Sequence, residues 1–91
     1  MKYYLISYDL KAPGQNYTQL YEEIKSLGDW RHPMESTWVV HTGNELSAKT
    51  IRERLQRNMD ERDLILVVNI SESDYSGWLA TSFWDWYKKK A

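Results

Sequence analysis

The segment from Lys2 to Asp9 is aromatic and aliphatic and has no polar face. Read as a strand, it puts Tyr3, Leu5, Ser7 and Asp9 on one side and Tyr4, Ile6 and Tyr8 on the other. Leu64 to Ile70 is as apolar, interrupted only by Asn69. Strands of this kind belong to sheets with cover on both faces. A chain of 91 residues has few elements with which to supply that cover. The need for a second cover is what most restricts the fold.

Between these strands the pattern changes period. Tyr17, Leu20, Tyr21, Ile24 and Leu27 recur at helical spacing, with Asn16 placed as N-cap and Gly28 placed to stop the helix. The Pro13-Gly14 pair marks a turn before it. Residues 29–42 are extended. Pro33 cannot donate to a ladder, so this stretch is a bent strand or a tight hairpin, regular from Ser36 to Thr42. Ser47 can cap a second helix that carries Ala48, Ile51, Leu55 and Met59 on one side. Leu79 to Lys90 reads as a final helix rich in aromatics.

The order is strand, helix, bent strand or hairpin, helix, strand and C-terminal appendage. It predicts one domain over residues 1–91. The class is α+β, a ferredoxin-like βαββαβ sandwich with an aromatic C-terminal helical segment. Two helices cover one face of such a sheet. The other face is expected to be covered by the C-terminal segment or by a second copy of the chain.

Leu, Ile, Val and Phe make up only about a fifth of the chain, a level at which disorder becomes an alternative. Five Trp and seven Tyr make up the deficit, because each buries a large area. The absence of cysteine excludes a disulfide scaffold, a thiolate zinc site and a cysteine nucleophile. The net charge of −1 confines any nucleic-acid binding to a local patch. No apolar run has the length of a membrane span. Met-Lys-Tyr-Tyr lacks the layout of a signal peptide. The expectation is a cytoplasmic domain.

Four groups of residues could carry chemistry. Asp9 ends a strand beside a loop. In a two-fold dimer it becomes a carboxylate pair able to share a magnesium ion, an oxygen-seeking cation. Alternatively it caps the loop through backbone N–H groups. His32, Glu35 and His41 could supply acid and base, although strand alternation separates His32 from the other two. The second helix holds Lys49, Arg52, Arg54 and Arg57 against Glu53. With Lys88, Lys89 and Lys90 these could contact phosphates, or form a solvated face. Trp78, Phe83, Trp84 and Trp86 could stack on bases, or clamp a small core. No P-loop, dinucleotide fingerprint or nucleophile elbow is present.

Three stretches together resemble a known group. Tyr4-Leu5-Ile6-Ser7-Tyr8-Asp9-Leu10 resembles the N-terminal strand of the small CRISPR-associated Cas-two family. Glu35-Ser36-Thr37-Trp38-Val39-Val40 resembles its serine-containing segment. Asp63-Leu64-Ile65-Leu66-Val67-Val68 resembles its strand after the second helix. The chain is also similar to SinR-family proteins, through Gly77-Trp78-Leu79 among others, and distantly to VapD toxin ribonucleases. The resemblance implies a homodimer in which Asp9 of each subunit ligates magnesium, with Ser7 and Ser36 lining the crevice. It implies nucleic-acid association and metal-dependent cleavage of RNA or double-stranded DNA, with Asp9 and Ser36 as catalytic residues. From their charge alone, not from the resemblance, Arg52, Arg54 and Arg57 would contact phosphate. The chain departs from the family in having only Lys11 as a basic residue soon after Asp9. It also ends in an aromatic segment where the family often has a strand.

The competing expectation is a non-catalytic dimeric interaction module of a defence, toxin or mobile-element system. A small-ligand sensor is a third reading. Fold analogy does not choose among them.

Overall fold

The computed structural model describes residues 1–12 and 14–90. The Pro13 half of the expected turn and the side chain of Lys90 lie outside the described residues. Four strands form one antiparallel sheet: β1 (Lys2–Asp9), β2 (Asp29–Met34), β3 (Thr37–Thr42) and β4 (Leu64–Asn69), in the order β2-β3-β1-β4. Three helices accompany them: α1 (Thr18–Lys25), α2 (Ala48–Gln56) and α3 (Thr81–Lys90). The class is α+β.

The extended stretch is a hairpin. Its register slips between Arg31 and Met34, at the proline that cannot join the ladder. α2 starts where the sequence placed it, since the Ser47 hydroxyl accepts the Thr50 N–H at 3.1 Å. α1 differs in detail. Tyr17 holds the cap position, and its side chain makes no bond to the helix N-terminus. Asn16, one residue earlier, accepts the Thr18 N–H at 2.9 Å. α1 ends at Lys25, so Gly28 does not stop it directly. Gly28 is small for another reason: a Cβ there would run into the backbone carbonyl of His41.

The main core lies between the sheet and helices α1 and α2. Tyr4, Ile6, Trp38 and Val40 from the sheet meet Leu20, Ile24, Ile51 and Leu55. Among the described residues the buried side-chain polar atoms are satisfied: Trp38 Nε1–H donates to Tyr8 Oη at 3.0 Å, and Tyr8 Oη–H reaches the Glu35 carbonyl. Asp63 ties the approach to this core together. It accepts the Lys11 N–H at 2.6 Å, the Asp60 N–H at 2.8 Å and the Tyr17 hydroxyl at 2.9 Å. Burial pulls the Asp63 carboxyl up, but these donors outweigh it and hold the group below its ordinary value.

A second, smaller core lies on the opposite face. α3 packs Phe83, Trp86 and Tyr87 over Tyr3 and Val39. Trp86 Nε1–H donates to Asp29 Oδ2 at 2.8 Å, and the Arg31 guanidinium sits 4.8 Å from the Trp86 ring centre. The appendage therefore does cover the sheet, as the strand pattern required.

The cover is incomplete. Leu64, Leu66 and Val68 remain 59%, 60% and 39% exposed. Their cross-strand partners on β1 are Asp9, Ser7 and Leu5, so they share the face on which α3 lies. β4 is also an edge strand, paired on one side with β1. The expectation that both faces of the last strand are covered fails within one chain.

Candidate functional site

The Asp9 carboxylate stands at the C-terminal end of β1, 59% exposed, and pairs with Lys11 Nζ at 2.8 Å. The hydrogen bond to Asp9, and then its charge, raise the Lys11 ammonium above its usual value. Both groups are exposed, so the pair adds little to stability. Asp9 borders a shallow depression of about 230 Å³ with Ser7, Leu64 and Leu66. Ser7 Oγ lies 3.4 Å from Thr37 Oγ1 across the β1–β3 ladder. Ser36 occupies the turn joining β2 to β3, and its carbonyl accepts the Tyr8 N–H at 3.1 Å. Ser7 thus shares a face with Asp9, while Ser36 stands in the adjoining turn.

A magnesium ion calls for several oxygen ligands. Among the described residues no group of three or more His, Cys, Asp or Glu side chains could hold a metal ion. Within one chain the donors at Asp9 amount to one carboxylate already paired with a lysine, which does not fit such an ion.

The histidines are separated, as alternation implied. His32 stacks on Trp38 at 3.9 Å between ring centres, with Nε2 2.9 Å from the Glu35 carbonyl oxygen. His41 lies against Tyr3 at 4.5 Å, on the α3 face. They do not form a joint acid–base site.

The basic residues of α2 do not converge either. Arg52 and Arg54 are two positions apart, about 160° around the helix. Arg54 crosses to α1, bonding Glu23 at 2.9 Å and Ser26 at 3.2 Å. Arg52 bonds Gln56 at 2.8 Å and, with Lys49, borders β4 beside Ile65 and Val67. Arg57 is the exposed C-cap residue. Three arginines close in sequence thus point to different surroundings.

The aromatic segment divides sharply. Phe83 and Trp86 are buried, as a core clamp requires. Trp84 is half-buried and stacks on Tyr75 at 5.8 Å. Trp78 is 99% exposed, so it clamps nothing in its own chain. Beside it, between α3, the 75–79 segment and the sheet, lies an apolar pocket of about 380 Å³. Leu5, Met34, Val39, Ile70, Phe83 and Trp84 line it. This pocket and the open β4 row are continuous through Leu5, the ladder partner of Val68. The sequence held a signal for the row, in the unbroken apolar run from Leu64 to Val68, but none for the pocket.

Among the described residues no helix is long and apolar enough to cross a membrane. No family model matches the chain, and no curated protein matches it. The fold is shared with the crystal structure of a hypothetical protein from Thermus thermophilus. The two are 20% identical with a TM-score of 0.62, and the match covers 87% of this chain and 94% of the other.

Proposed function

We propose that the chain is a non-catalytic interaction module with a ferredoxin-like fold, and that it works as a homodimer joined across the uncovered part of its sheet. The fold assignment is supported by the strand order, the antiparallel pairings and the seating of α1 and α2 on one face. The dimer reading rests on the open row of Leu64, Leu66 and Val68 on an unpaired edge strand. Exposed apolar edge strands are normally blunted by charge or proline; this one carries neither between residues 64 and 69. Sedimentation equilibrium of the full chain tests it. The wild type is expected to dimerise and Leu66→Glu to be monomeric with an unchanged circular-dichroism spectrum. A wild type that stays monomeric throughout its soluble range sinks the reading.

The second reading, a Cas-two-like nuclease, is favoured by one observation. Asp9 shares its face with Leu64 and Leu66, so a two-fold pairing across that row would bring two Asp9 carboxylates to one interface. Incubating wild-type and Asp9→Ala protein with labelled RNA and double-stranded DNA, with magnesium and with chelator, decides it. Cleavage lost on both substitution and chelation would replace the non-catalytic reading.

A further inference from the structure

We propose that Trp78 is the anchor of the dimer, inserting its indole into the aromatic pocket of a second copy. The inference rests on the dimer reading above and adds the contact that holds it. Two observations carry it. Trp78 is 99% exposed, an extreme for the largest apolar side chain. The pocket at its foot is apolar and, at about 380 Å³, falls at the small end of the range for ligand sites, the size for one ring system.

Knob and hole lie on one face of one chain, with Trp78 on the pocket's own rim. That layout is self-complementary. A two-fold axis beside the rim carries each Trp78 over the other chain's pocket and forms the contact twice. Continuity with the β4 row supplies the area. Leu64, Leu66, Val68, Met34, Tyr75 and Trp78 expose a patch on the order of 700 Å², more than monomers usually leave open and near the ~800 Å² per partner of a standard interface. Interface hot spots are also enriched in tryptophan seated in desolvated pockets.

The test uses the full chain in three forms: wild type, Trp78→Ala and Thr37→Phe. Thr37 is half-buried and lines the pocket, so a phenyl ring there blocks the hole and spares the knob. Trp78 touches nothing in its own chain closely enough to be shielded, so its alanine variant keeps the fold, to be checked by circular dichroism. By sedimentation equilibrium, each variant alone loses both copies of the contact, about thirtyfold for each, and should dimerise about a thousandfold more weakly than wild type. An equimolar mixture should associate about thirtyfold more tightly than either variant alone, because Trp78 of the Thr37→Phe chain meets the unblocked pocket of the Trp78→Ala chain and restores one of the two contacts. A wild-type dimer that Trp78→Ala leaves as tight overturns the anchor and leaves the dimer reading standing. Weakened variants with no recovery on mixing overturn the knob-in-pocket pairing. A monomeric wild type overturns both readings.

Discussion

Raising the pH tests whether α3 truly closes over the sheet. Tyr3 is 4% exposed and sits among His41, Trp86 and Tyr87. Its hydroxyl donates to the Tyr87 carbonyl at 3.3 Å. Burial first, then the charges of Tyr87 and Asp29, push its pKa up from 10.0 to about 12. A phenol with a raised folded-state value stabilises the fold fully below its unfolded value and loses that contribution as pH climbs through the folded one. Two units correspond to about 3 kcal/mol, lost between pH 10 and pH 12. A chain of this length has a total stability of about 5–13 kcal/mol, so the loss is a large share. Tyr3→Phe keeps the ring and removes the titration. At neutral pH it should cost at most about 1 kcal/mol, since the bond it deletes is long. Urea unfolding of both proteins from neutral to strongly alkaline pH is the assay. Burial also raises Tyr8 and Tyr87, so the wild-type minus variant difference is the quantity to follow. That difference should swing by about 3 kcal/mol toward the variant. Parallel loss in both proteins would mean that Tyr3 titrates in the open and that α3 does not seal the face.

Three further outcomes follow from the packing. Trp86→Ala should cost about 3–5 kcal/mol by urea unfolding and speed amide exchange in α3, because the indole, its bond to Asp29 and its contact with Arg31 go together. Asp63→Ala should cost about 2–3 kcal/mol at neutral pH, measured the same way. Its lowered carboxyl value makes the difference from wild type shrink as pH falls through that value, since protonation removes the same acceptor. Gly28→Ala should lower the melting temperature by more than an exposed glycine substitution such as Gly77→Ala, because its Cβ meets the backbone carbonyl of His41 while a Cβ at Gly77 makes only ordinary contact with the Trp84 ring.

Local chemistry made much of the fold readable. A serine before a helical period announces its own cap, and Ser47 is one. Pro33 forces irregularity wherever the strand runs, so the bulge between Arg31 and Met34 was implicit in one residue. The even mixture of apolar residues on β1 required two covers, and α3 supplies one of them. What the sequence left hidden depends on distance. Glu23 and Arg54 are 31 residues apart, so a helix that reads as a basic patch has one of its charges already matched. Asp63 reads as part of a charged link, but becomes the acceptor for three donors once the chain closes. Trp78 and Trp86 are the same residue type in the same aromatic stretch, and one is bare while the other is buried. Composition cannot separate them, because the difference is set by where α3 begins. Which candidate residues converge was less legible than the fold, because closeness in sequence does not place side chains together. Alternation and the helix turn send His32 and His41, or Arg52 and Arg54, to different places.

The two edges of the sheet differ in a way that bears on the size of any assembly. β4 carries Leu64, Ile65, Leu66, Val67 and Val68 without an interrupting charge. β2, at the other edge, carries Asp29, Arg31 and Pro33, with a bulge at the proline. Charge, proline and bulge are the devices that prevent strand addition. Adding β4 of one chain to β2 of the next would be heterologous and would continue without limit. The guarded β2 edge opposes that route. Pairing β4 with β4 is isologous, satisfies the open backbone edge of both chains and leaves two guarded edges outward. On the proposed reading, association therefore stops at two. Removing the guard should change that: in Pro33→Val with Arg31→Thr, the second edge regains a donor and loses a charge, and light scattering should detect species larger than the dimer. If that variant remains strictly dimeric, the β2 edge is closed by something other than its proline and its charge, and the edge argument for a closed pair fails.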